Sequence, residues 1–499
     1  MTARCGIAAA LTLAATAMGC AASTTPACSE ARIQFDGQCC PPWSVADLDV
    51  CVPTVWTEPT THVSQHTDGS GSSARDPAIA VDGALRAVVA WTSSATTGTE
   101  PSVAVAAEDA NGDFAVIAPG AALAGTGSTP SLATDADGHA LVSWVQTDGD
   151  HRAIHYAERD TDDAWSLPPD RTQLSFGPEA NAPHSRYSAY GEATIVYGQS
   201  TEDGFGVALA RRGADISDEP LVGPADASDL VSPPGLWVGR PRIAIASNGD
   251  AIISGCPTTG SAPLMVVAER FGPDGSFANA PDSAPTWLAG AQATGAVESC
   301  AVPAIDDRGA AAIAWTQPNA AGGTPVFVAT RTGWGQWTTP AGLDDALSDP
   351  SSNATGLDVA FGGNGSLHLT WSEQDATGPR RVLWTYRTPG GVWSEPTVLS
   401  AAGFDAHGPA LAVGDEGEAL VAYVQRHGDG WHLVTRRRNP DDAAWLDPEV
   451  LSEALEGDAR QPSVAWREAT FVVAWVHGAA RQGRVYLARV TPQAPDDTP

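Results

Sequence analysis

With 499 residues, 43% of them hydrophobic and only 17% charged, the chain has enough apolar material for one large core or several small ones. Its 59 acidic residues outnumber 27 basic ones, all arginine, for a net charge of −32. That balance argues against a nucleic-acid partner, and the lack of lysine removes Schiff-base and phosphate-loop chemistry.

Residues 1–19 combine one arginine (Arg4) with an apolar run of small residues, the pattern of a cleaved secretory signal and too short to span a membrane. The sequence Ala17-Met18-Gly19-Cys20 resembles a bacterial lipobox, with Ala17 where that pattern usually has leucine. The resemblance implies that Cys20 is the lipidated first residue and that the protein is anchored at the outer membrane, periplasmic or surface-exposed, with simple secretion as the alternative. Six cysteines then remain, an even number suited to an oxidising compartment. Cys28, Cys39, Cys40 and Cys51 crowd into a tether over 20–54. They pair either as 28–39 with 40–51 or as 28–40 with 39–51; a metal site lacks the usual CxxC spacing.

Beyond the tether, no helical periodicity is sustained, while glycine (51) and proline (38) are scattered throughout. One unit recurs instead: a short alanine-containing strand, an Asp/Asn/Gly turn, and an alternating strand that ends in an aromatic. The anchors are Trp91, Trp144, Tyr197, Gly255, Trp315, Trp371, Tyr423 and Trp475, spaced 53, 53, 58, 60, 56, 52 and 52 residues apart. A second alternating segment follows each anchor, and in many units a Trp-x-x-Pro element follows that, as at Trp165, Trp337, Trp393 and Trp445. Four strands in about 50 residues predict a blade of a β-propeller. The eighth unit lacks its fourth element, whereas Trp56-Thr57-Glu58-Pro59 supplies one at the front. The expected fold is therefore all-β, a closed propeller of eight four-stranded blades over 55–494 with a tail at 495–499, the N-terminal strand completing the last blade.

These units, of the form A-x-D-x-x-G-x-A-x-x-x-W followed by W-x-x-P-x-x-L-S, resemble the repeats of bacterial secreted sialidase-type propeller proteins. The likeness is one of architecture, because no Ser-x-Asp-x-Gly-x-Thr-Trp box occurs. Strand parity puts both tight turns of a blade at one end, and the longer loops and crossovers at the other, where a ligand is expected. Candidates for that face are Trp237 and Arg240 in the long crossover 222–241, with Arg75, Arg460 and His407. Arg75, Arg240 and Arg460 stand just before first strands, as the carboxylate-binding arginines of sialidases do. Parity also places Cys256 and Cys300 at one end of neighbouring blades, fit for a disulfide. No catalytic motif, metal cluster or cofactor signature is found. The leading expectation is a monomeric, non-enzymatic envelope module that binds a protein or glycan. The alternatives are a glycoside hydrolase or lyase acting on polysaccharide, and a structural envelope component.

Overall fold

The computed structural model describes residues 33–35, 38–40, 44–47, 50–56, 63, 72–95, 101–109, 111–117, 126–166, 173–213, 220–232, 238–257, 266–270, 272, 275–279, 301–319, 322–375, 378–440, 444–479 and 482–492. Among them, eight antiparallel sheets follow one another along the chain, preceded by a separate hairpin of Ile33–Phe35 with Gln38–Cys40. The first strands of the sheets are Ser72–Val81, Thr126–Thr134, Ala180–Tyr187, Val238–Ile245, Val302–Ile305, Asn353–Phe361, Ala406–Val413 and Asp458–Arg467. Each sheet then meanders outward; the second continues through Ala140–Asp148 and His151–Arg159 to Trp165–Ser166. No sheet closes on itself, and helix is limited to the single 3-10 turns Ala227–Asp229 and Leu343–Asp345 among the described residues.

The repeated aromatics explain why sheets stack. Trp91, Trp315, Trp371 and Trp475 are fully buried in the second strands of their sheets, as are Tyr197 and Tyr423. Among the described residues Trp475 Nε1–H has no hydrogen-bond partner, and the repeat's other anchors are satisfied in two ways where a partner is seen. Trp144, Trp315 and Trp371 donate Nε1–H to a side chain two residues on (Gln146, Gln317 and Glu373), whereas Tyr197 and Tyr423 donate to the carbonyls of Leu174 and Leu399. First strands of successive sheets lie in contact, and seven of the eight carry alanine at one register position there.

Two expectations need correcting. The fourth strand is far shorter than a blade strand should be: two residues in sheets two, four, six and seven, and single bridges (Arg211 with Val222, Thr330 with Thr338) in sheets three and five. Proline in the Trp-x-x-Pro element has no N–H to give, so pairing stops beside it. Trp337 and Trp445 are buried nonetheless and act as plugs. The link between second and third strands is also not uniformly long. In sheets two, three and seven it is a two-residue turn, with Asp148 paired to His151, Thr201 to Gly204 and His427 to Gly430.

The N-terminal strand behaves as expected. Val50–Trp56 pairs with Arg484–Pro492, placing Trp56 opposite Val490, and Ser44–Asp47 adds a fifth strand outside it. The eighth sheet packs against the first through a shared core of Val472, Ala474, Val485 and Leu487 with Ile79, Val89 and Trp91. Ala74 N–H donates to the Gly483 carbonyl at 2.7 Å across this junction.

In sheets one to seven the last residue of the third strand reaches back to the preceding sheet at the turn end. Arg159 binds Asp82, Arg212 binds Glu158, Arg270 binds Glu192, and Arg331 binds Glu269. Arg387 donates to Thr330 Oγ1, and Arg438 lies over the rings of Trp384 and Tyr386. In sheet one the position is Glu108, which receives Arg489 of sheet eight. The junction between the last and first sheets thus repeats the others with its charges exchanged.

Candidate ligand site at the bulged ends of the first strands

Seven first strands share an irregularity. Two of their residues oppose one residue of the second strand, and that one residue is the repeat's anchor: Asp76-Pro77 face Trp91, and equivalent pairs face Trp144, Tyr197, Gly255, Trp371, Tyr423 and Trp475. The first bulge residue is left-handed in every case: Asp76 (φ 52°), Thr129 (51°), Ala182 (48°), Arg240 (48°), Gly356 (64°), Gly408 (62°) and Gln461 (52°). Proline follows in six of the seven, Gly356 being the exception. A non-glycine residue there costs roughly 1–3 kcal/mol, and proline next to it narrows the choice further. A strain repeated around the whole fold has a common effect: it turns each strand start and re-aims its side chains. Arg75, Arg240 and Arg460 therefore lie within first strands, at the bulge, rather than before them.

Three of these bulges build one cavity of about 590 Å³, lined by Ser73, Ala74 and Arg75, by His407, Gly408 and Pro409, and by Arg460, Gln461 and Pro462. Sheets one, seven and eight contribute equally. Three of the five expected ligand-face residues, Arg75, His407 and Arg460, come together here. Arg240 stands on sheet four at the first bulge position, the place of Asp76 and Gln461, and is not part of this wall. Trp237, Cys20, Cys28 and Cys300 lie outside the described residues. So do the side chains of Cys39, Cys40, Cys51 and Cys256, although their backbones fall on strands.

The cavity is cationic. The Arg460 guanidinium donates to the carbonyls of Gly478 and Ala479 at 3.0 and 3.1 Å, neutral acceptors that hold it without cancelling its charge. Arg75 is exposed and, among the described residues, its guanidinium meets Asp76 loosely, at 3.8 Å. Asp76 is in turn engaged with Gln461, whose Nε2–H donates to Oδ1 at 2.7 Å while its Oε1 accepts from Asp76 N–H at 3.0 Å. Two guanidiniums thus stand against one carboxylate, in a molecule that is strongly acidic elsewhere.

Burial, with the charge of Arg380 adding to it and Asp405 opposing, holds the His407 imidazole below its ordinary pKa, so it is neutral at pH 7. Its ring packs on Trp431, with centroids 4.7 Å apart. Phe404, 43% exposed in the crossover that leads into the seventh first strand, stacks on His427. Aromatic surface and arginine therefore share this end. Trp431 was separable in sequence only as a tryptophan outside both repeat positions; the bulge had a clearer sign, a proline 13 or 14 residues before the anchor inside an apparent strand.

The opposite ends of the first strands are built differently. Asp82, Asp135 and Asp306 each cap a hairpin turn, accepting backbone N–H groups two and four residues on. Asp135-Ala136-Asp137-Gly138 is accordingly a turn. Among the described residues no group of three or more His, Cys, Asp or Glu is placed to hold a metal ion.

No protein-family model and no curated protein sequence matches the chain. Solved structures do resemble it. A protein of unknown function from Dyadobacter fermentans is 12% identical over 88% of this chain and 99% of that one, with a TM-score of 0.43. An ulvan lyase of polysaccharide lyase family 25 is 9% identical over 86% and 95%, with a TM-score of 0.47. The β-propeller domain of the Trilobed protease from Pyrococcus furiosus is 8% identical over 78% and 100%, with a TM-score of 0.41.

Proposed function

We propose that the eight sheets are blades of a closed propeller and that its bulged end binds an acidic polysaccharide. Closure is supported by the contact of the first strand of sheet eight with that of sheet one, by the pairing of Val490 with Trp56, and by the Glu108–Arg489 bridge. The binding reading rests on one observation: Arg75, Arg460 and a neutral His407 line a single cavity in a chain of net charge −32. Carboxylates accept well from paired guanidiniums, and sugar rings pack on aromatic faces such as Trp431 and Phe404. An acidic protein repels acidic polymers in general, so a local cationic cavity restricts docking to one place.

Polygalacturonate tests this, with neutral dextran as control. Replacing both arginines (Arg75→Ala with Arg460→Ala) should weaken polygalacturonate binding by about a hundredfold, roughly tenfold for each charge-assisted contact. Unchanged affinity in the double variant, or equal binding of dextran, removes the reading.

His407 favours a second step at the same site, β-elimination of a uronate. With its carboxylate neutralised by Arg75 and Arg460, the C5–H becomes acidic enough for a neutral imidazole to take the proton. The C5–H electron pair then forms the C4–C5 double bond, the C4–O bond breaks, and the departing oxygen takes the proton that the imidazolium now carries. His407→Ala should abolish ultraviolet-absorbing unsaturated product while sparing binding. Absence of such product from the native protein across a uronate panel would leave a binding module.

We also propose export and lipidation at Cys20, displaying the propeller at the outer membrane. Labelling with a fatty-acid analogue that is lost in Cys20→Ala supports this; equal labelling of the variant refutes it.

A further inference from the structure

Inside the proposed ring, the first strands hold one another through a repeated side-chain latch. Ser185 N–H donates to Ser131 Oγ at 2.8 Å, Ile243 N–H to His184 Nδ1 at 3.2 Å, and Leu411 N–H to Asp358 Oδ2 at 2.9 Å. In each case a polar side chain two residues past the left-handed bulge position caps a backbone N–H on the free edge of the next sheet. At the junction of sheets four and five this position holds Arg242, which has no acceptor atom to offer. The facing residue is Pro303, which aligns in register with Ser185, Ile243 and Leu411 and has no N–H to be capped. Arg242 is thus released from the latch. It is exposed and makes no hydrogen bond or ion pair with a described residue.

A second exception lies on the neighbouring sheet. The repeat alanine occurs as Ala80, Ala133, Ala244, Ala304, Ala360, Ala412 and Ala465, all at one register position. Sheet three alone carries Arg186 there. Arg186 and Arg242 interact electrostatically with each other and with Asp358 of sheet six. Groups on sheets three, four and six can meet only in the axial space that the first strands surround. Both arginines are solvent-exposed, yet enclosure and repulsion by Arg242 push Arg186 down to about 10, while enclosure and Arg240 at the bulge lower Arg242. Asp358, whose two oxygens accept from Val359 and Leu411 N–H, offsets part of their charge, one carboxylate against two guanidiniums. His184, neutral through burial and accepting at Nδ1, turns Nε2–H into a further donor beside them.

We infer that Arg186 and Arg242 form an axial binding station for a small oxyanion such as sulfate, separate from the Arg75–Arg460 cavity. Three guanidiniums, Arg240, Arg242 and Arg186, then run inward from the bulged end along one wall. Nothing in the repeat requires arginine at either inner position, since seven sheets manage with alanine at one and a proline removes the need at the other. An oxyanion between the two would accept from both forks and end their repulsion.

Thermal unfolding in rising sodium sulfate, against sodium chloride at equal ionic strength, tests the station. A ligand that binds only the folded state raises the melting temperature saturably. The native protein should show that rise with sulfate beyond chloride. Arg186→Ala restores the residue of the other seven sheets and so preserves the fold. It should weaken the apparent sulfate affinity at least about tenfold and raise the melting temperature in sulfate-free buffer. Arg242→Ala should behave likewise, whereas Arg75→Ala should leave the sulfate response intact while weakening polygalacturonate. A native protein with no response beyond chloride, or an Arg186→Ala response equal to the native one, overturns the inference.

Discussion

The two ends of the same first strands follow opposite rules. At the turn end aspartates cap hairpins, and third-strand arginines such as Arg331 pair their buried charge against the preceding sheet. At the bulged end the backbone is held left-handed at non-glycine residues, and Arg75 and Arg460 keep uncancelled charge. Left-handed non-glycine residues occur in the turns too (Leu85, Asp163, Glu468 and Ala469), so what sets the bulged end apart is its uncancelled charge, and that is what favours ligand chemistry there.

Mutations should separate the ends. The largest effect belongs to the turn end, where Arg331 bridges Glu269 with side chains only 2% and 4% exposed. Arg331→Met leaves a buried, uncompensated carboxylate and should cost about 3–5 kcal/mol in urea unfolding, with polygalacturonate affinity unchanged. A loss below 1 kcal/mol would show that this end is less tightly coupled than its burial implies.

Acid should act next, also at the turn end. His368 is fully buried with its Nε2 beside Ser366 Oγ at 2.8 Å, and burial pushes its pKa down to about 3, helped by Arg438. The unfolded chain takes up that proton near pH 6.5, whereas the folded one resists. The contribution is therefore complete above pH 6.5 and is lost as pH falls towards 3, at up to about 1.4 kcal/mol per pH unit. Urea unfolding at pH 7 and pH 5 should show a loss of about 2 kcal/mol that is absent in His368→Asn. An equal loss in the variant would assign the acid sensitivity to other groups.

At the bulged end the signs reverse. Arg75→Ala should weaken polygalacturonate about tenfold while shifting stability by less than about 0.5 kcal/mol, because its side chain is 52% exposed. Smallest of all, Thr129→Gly should stabilise by about 1 kcal/mol, since a β-branched residue at φ 51° is strained and glycine is not. Destabilisation instead would mean that contacts of the Thr129 side chain, or the freedom that glycine adds to the unfolded chain, outweigh the strain.

Much of this was legible in the sequence where a residue type repeats at fixed spacing. The anchors from Trp91 to Trp475 located eight sheets, and the stray Trp56-Thr57-Glu58-Pro59 located the strand beside Val490. The face of Arg75, His407 and Arg460 was also within reach, because strand parity separates the two ends of a sheet. Their convergence was not, since it depends on a bulge that moves three strand starts together. Pro77, Pro130, Pro183, Pro241, Pro409 and Pro462 mark that bulge, and only the register shows that two residues there face one. Arg186 escaped for a different reason. It hides in a degenerate repeat copy whose alanine is missing, and only the pairing with Thr194 identifies the position it fills.

A crystal structure of the protein with a bound galacturonate oligosaccharide tests the central claim most directly. The account predicts a uronate carboxylate between Arg75 and Arg460 with a sugar ring near His407 and Trp431. An oligosaccharide seated at the hairpin turns, or on the outer strands away from the three bulges, would contradict it.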